Sequence, residues 1–103
     1  MSKRLAYLEK VVADGTADSF ARYCLALEYK GLGRVDDAVV AFTALRSADA
    51  AYVPQYLMCG AMLVDAGRPE EARGWLEAGV EVAGRAGDTK ALGELRDALA
   101  GLG

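Results

Sequence analysis

The sequence contains no histidine, and with it goes the commonest general base in enzymes. Two cysteines, Cys24 and Cys59, stand alone without metal-ligand spacing or an activating neighbour. They are read as reduced, partly buried thiols of a cytoplasmic protein rather than as a disulfide or a zinc site. No uninterrupted block of Lys or Arg is present among 12 basic and 15 acidic residues, so neither nucleic acid nor a membrane surface is an expected partner. The longest apolar run, YLMCGAMLV at 56–64, has nine residues, against the roughly 20 that a spanning helix needs. The N-terminal stretch MSKRLAYLEKVVADG mixes charges into its apolar residues, unlike the core of a signal peptide. Proline occurs only twice, which leaves room for long helices.

What the chain does have is abundant apolar content, 53% of 103 residues, enough to exclude disorder. It also has an internal echo. LGRVDDA at 32–38 returns as AGRPEEA at 66–72, an offset of 34 residues. The register extends beyond the phrase. Ala26 aligns with Gly60, Gly33 with Gly67, Arg34 with Arg68, Ala38 with Ala72, Phe42 with Leu76 and Ala44 with Ala78. Small residues meet small ones, and large apolar residues meet large ones. A period in this range signals stacked repeats.

Each unit reads as two helices. The first begins at Asp18 or Ser19, where Asp18 can cap the free N–H groups, and carries Phe20, Tyr23, Cys24 and Leu27 at helical spacing to Lys30. Gly31 and Gly33 end it. Its partner runs from Val35 through Val39, Phe42 and Leu45 to Ser47. In the second unit Pro54 opens a helix over 53–65, Gly67 closes it, and Pro69 starts a helix carrying Ala72, Trp75, Leu76 and Val80. The acid pairs Asp36/Asp37 and Glu70/Glu71 sit at helix starts, where the macrodipole favours negative charge. Neighbours i and i+1 do not face each other on a helix, so these pairs form no catalytic dyad. GLG at 31–33 is a turn and not a phosphate loop. A flanking helix over 2–13 presents Leu5, Leu8 and Val12. Another over 89–102, capped by Asp88, presents Leu92, Leu95 and Leu99 and serves as a solvating cap.

These residues resemble the tetratricopeptide repeat family, whose 34-residue unit is a helix–turn–helix. Ala26 with Tyr29, and Gly60 with Leu63 in place of the aromatic, match the small residue at the helix crossing. Gly33 and Gly67 match the turn glycine, Ala38 and Ala72 the signature alanine of the second helix, and Phe42 and Leu76 its large residue. Tyr56 fits the position where the family often has tryptophan, while Arg22 departs from it. Ala50 and Gly84 replace the closing proline.

The resemblance implies an all-α solenoid of about six antiparallel helices: one domain over 1–103, with repeats at 19–52 and 53–86. It implies a non-catalytic module without cofactor or metal. The first helix of each repeat would line a concave groove through Phe20, Tyr23, Cys24, Leu27 and Lys30, then Leu57, Met58, Ala61, Val64 and Asp65. Family members that clamp the acidic C-terminus of chaperones present Lys, Asn and Arg there. Tyr23, Leu27, Leu57 and Ala61 stand in those places here, so that clamp is not expected. One reading places an apolar or amphipathic segment of a partner protein in the groove. A second places another copy of the chain there, as a two-fold homodimer. A third makes Phe20, Leu27 and Leu57 simple core, covered by the flanking helices. Trp75, on a second helix, is expected between repeats or on the convex face.

Overall fold

The computed structural model describes residues 3–102. Ser2, where the sequence reading begins the first helix, lies outside the described residues, as do Met1 and Gly103 at the ends of the expected domain. The described residues form six helices and no strand: α1 (Lys3–Ala13), α2 (Ser19–Gly31), α3 (Val35–Ala48), α4 (Pro54–Asp65), α5 (Pro69–Ala86) and α6 (Thr89–Gly101). The fold is an all-α helical repeat. Contacts divide it into two compact units, one running to Asp49 and the other starting at Ala50.

In the first unit α2 packs against both α1 and α3. Asp18 caps α2 by accepting from the Ala21 N–H at 2.8 Å. Leu5 and Leu8 of α1 are buried, as are Leu25 and Ala26 of α2 and Ala38, Phe42 and Leu45 of α3. Each large side chain so enclosed contributes about 1.5–3 kcal/mol. Tyr23 sets the edge of its ring against Phe42, centroids 6.4 Å apart. Ser19 donates to Asp49 at 2.6 Å, tying the start of α2 to the end of α3.

The second unit is built on Tyr56, Leu76, Ala83 and Leu95, contributed by α4, α5 and α6. Its helices approach closely because two positions carry no side chain. A Cβ at Gly60 would stand 2.5 Å from Leu76 Cδ2, and one at Gly79 would stand 2.5 Å from Tyr56 Cβ. Trp75 lies against Tyr56, centroids 6.0 Å apart, and packs on this core. Pro54 and Pro69 occupy the first turns of α4 and α5, where a missing N–H leaves no helical bond unmade. Asp88 caps α6 by accepting from the Ala91 N–H at 3.1 Å.

Candidate protein-binding faces

The repeated phrase is a corner with the same hydrogen bonds in both units. After α2, the Gly33 N–H donates to the Lys30 carbonyl and the Arg34 N–H to the Tyr29 carbonyl. After α4, the Gly67 N–H donates to Val64 and the Arg68 N–H to Leu63. This pair of bonds is a Schellman closure, which needs a residue at positive φ. Gly33 and Gly67 both sit at 74°. The arginine then bends forward to the acid three residues on, Arg34 to Asp37 at 2.8 Å and Arg68 to Glu71. Sequence reasoning placed those acids at helix starts but missed their arginine partners, although the R-x-x-[DE] spacing after each glycine is the signal.

Arg34 also lies over the Tyr29 ring, 4.8 Å from its centre. The Tyr29 hydroxyl donates to Glu9 of α1 at 2.5 Å. That bond, with some desolvation and the charge of Glu9, pushes the phenol up to about 12. Asp37's hydrogen bond likewise raises Arg34 above its ordinary value. Of the other signature positions, Ala26, Ala38, Phe42, Gly60, Ala72 and Leu76 are all buried.

Within the first unit, Phe20, Tyr23, Leu27 and Lys30 follow one another at helical spacing along α2. Phe20 is 64% exposed, while Tyr23, Leu27 and Lys30 are partly covered. Cys24, expected beside them, is buried. Within the second unit, Ala61, Val64 and Asp65 of α4 are exposed and Met58 is half-buried. Leu57 packs against the core formed by α4, α5 and α6. Tyr7, Leu32 and Val40 are exposed apolar residues that sequence reasoning did not single out. They are solitary on the sequence pattern, and scattered apolar side chains are ordinary on a protein surface.

Among the described residues no group of His, Cys, Asp or Glu could hold a metal ion, and no helix is long and apolar enough to cross a membrane. Cys24 and Cys59 are buried thiols. These helices offer apolar and aromatic contact area with a charge at the end of each line, Lys30 on α2 and Asp65 on α4.

The crystal structure of the tetratricopeptide repeat domain protein from Salinibacter ruber superposes with a TM-score of 0.75 at 32% identity, over 84% of this chain and 96% of that one. The chain belongs to the tetratricopeptide repeat family. The solution structure of the Salinibacter ruber domain agrees, at 33% identity over 82% of this chain and 86% of that one, with a TM-score of 0.75. A Bordetella parapertussis protein solved in solution is 27% identical over 99% of this chain and 89% of its own, with a TM-score of 0.82. No protein-family model and no curated protein matches the chain. The tetratricopeptide fold is in general a protein-interaction fold, which gives the exposed faces of α2 and α4 their interest.

Proposed function

We propose that this tetratricopeptide repeat protein is a non-catalytic interaction module, and that α2 and α4 each offer a face to an apolar or amphipathic segment of a partner protein. The observation that carries the reading is Phe20, a large aromatic 64% exposed at the head of a line that continues through Tyr23 and Leu27 to Lys30. An amphipathic helix presents anchors at i, i+3, i+4 and i+7 that match such a line. Tyr23 suits a contact with one wet end, and Met58 supplies an adaptable surface on α4. Lys30 and Asp65 would orient the segment. Cys24 supports the α2 face from within, and Leu57 does the same for α4.

Selection of a displayed library of helical peptides against the whole chain tests this. Peptides with acidic groups placed to meet Lys30 should be enriched and should lose binding to Phe20→Asp. Peptides that bind the Phe20→Asp and Val64→Asp variants as well as the parent would overturn the assignment. Light scattering across a dilution series is the companion measurement. A dimer that Phe20→Asp dissociates would assign the α2 face to a second copy of the chain.

A further inference from the structure

The two repeats part company at one place. α3 ends at Ala48, and the same register would end α5 at Val82, yet α5 continues to Ala86. Gly84 stands inside the extra turn, where the family's pattern has a closing proline. Glycine retains the N–H that proline lacks, so the helix can run on. The added turn faces the segment that leads into α4, and between them lies a cavity of about 350 Å³ lined by Ala50, Ala51, Val82, Arg85 and Ala86. Ala50 is the other position at which the closing proline is missing, and it forms part of the lining. The Tyr56 hydroxyl donates to the Ala50 carbonyl at 2.5 Å and fixes that wall.

The chemistry of the lining is simple. Four of the five residues are aliphatic, and the fifth supplies a guanidinium at the rim. Arg85 lies 3.7 Å from Glu81 with both side chains about three-quarters exposed, 76% and 73%. Such a pair is held weakly, so the guanidinium can turn to another anion. The volume is at the lower end of the range for small-molecule sites, roughly 300–1,000 Å³. We propose that this cavity binds a small aliphatic carboxylate, its chain against Val82 and the alanines and its head group on Arg85. A carboxylate matches the guanidinium fork. A phosphate dianion would meet stronger repulsion from Glu81 beside the same cation. This site is separate in sequence from the proposed protein-binding faces and does not depend on them.

Titration of the isotope-labelled whole chain with sodium octanoate, followed by amide chemical shifts, tests the proposal, with octanol as the uncharged probe. Saturable shifts should centre on Ala50, Ala51 and residues 82–87. Octanol should bind about threefold more weakly, the size expected for an exposed charge pair. Arg85→Gln should bring octanoate to the level of octanol, and Glu81→Gln should tighten octanoate by freeing the guanidinium. Ala86→Trp should abolish binding by filling the cavity, with a helical spectrum to show that the chain still folds. Shifts centred elsewhere, no saturation, or equal binding of octanoate by the parent and Arg85→Gln would overturn it.

Discussion

Replacing Gly79 by alanine sets two effects of opposite sign against each other. Alanine favours a helix interior by about 1 kcal/mol over glycine. The new methyl group, however, would lie 2.5 Å from Tyr56 Cβ, 2.8 Å from Leu95 Cδ2 and 3.2 Å from Leu95 Cδ1, where carbon atoms prefer about 3.5–4.0 Å. Leu95 can turn about its side-chain bonds, although it is fully buried. Tyr56 Cβ is bonded directly to the α4 backbone and cannot turn away, so α4 and α5 must separate. Overpacking of this kind costs about 1–3 kcal/mol, and set against the propensity gain the net expectation is a loss of about 0–2 kcal/mol. Gly74 lies on the same helix with nothing within 4 Å of its added Cβ. Gly74→Ala should therefore gain about 1 kcal/mol. The propensity difference cancels between the two variants, and what separates them is the packing term. Urea unfolding followed by Trp75, the chain's one tryptophan and part of the same unit, measures it. At about 4–8 °C per kcal/mol, their melting temperatures should differ by at least about 4 °C. Equal stabilisation by both substitutions would refute the close approach of α4, α5 and α6 at Gly79.

Three further expectations rest on separate features. Gly67→Val should lower stability by about 1–2 kcal/mol, because a β-branched residue at φ 74° is strained even though the space around it is open; a melting curve matching the parent would remove the Schellman closure from the account. In an ultraviolet pH titration one tyrosine should ionise near 12 and move down in Glu9→Gln. Since the folded state holds the protonated phenol above its usual pKa of about 10, this contribution to stability is intact below that pH and is lost as the pH climbs through 12; a Tyr29→Phe variant that keeps the late transition would show that another phenol is responsible. Asp88→Ala should cost about 1 kcal/mol in chemical unfolding by leaving the first turn of α6 without its cap, and an unchanged midpoint would count against it.

The repeat was legible because it is written in residues with little freedom. Gly33 and Gly67 are required by a backbone conformation, and Ala26/Gly60 and Ala38/Ala72 by the distance between helices. A one-dimensional search finds such constraints as spacing. The faces of α2 were harder to read because its apolar residues run nearly all round it. Phe20, Tyr23, Cys24, Leu25, Ala26, Leu27 and Tyr29 give no clean stripe, so periodicity could not separate buried Cys24 from exposed Phe20. Leu57 illustrates the same ambiguity on α4, since it is half-buried and packs against a core drawn from α4, α5 and α6. The arginine of each corner was hidden for another reason. A long side chain reaches several partners, and only the structure selects Asp37 and Glu71 from the adjacent acids Asp36 and Glu70.

The corners also bear on how such a chain could arise and change. Each closes through backbone bonds spanning only a few residues, Tyr29 to Arg34 in one and Leu63 to Arg68 in the other. A genetic exchange joining the codon for Gly33 to that following Gly67, or the reverse, would remove or add 34 residues. Either product would regenerate a complete corner at the seam: a glycine free to adopt positive φ, an arginine behind it and an acid three places on. Recombination errors at this site would thus preserve the local folding instructions, and the number of repeats could drift while the unit itself stayed whole.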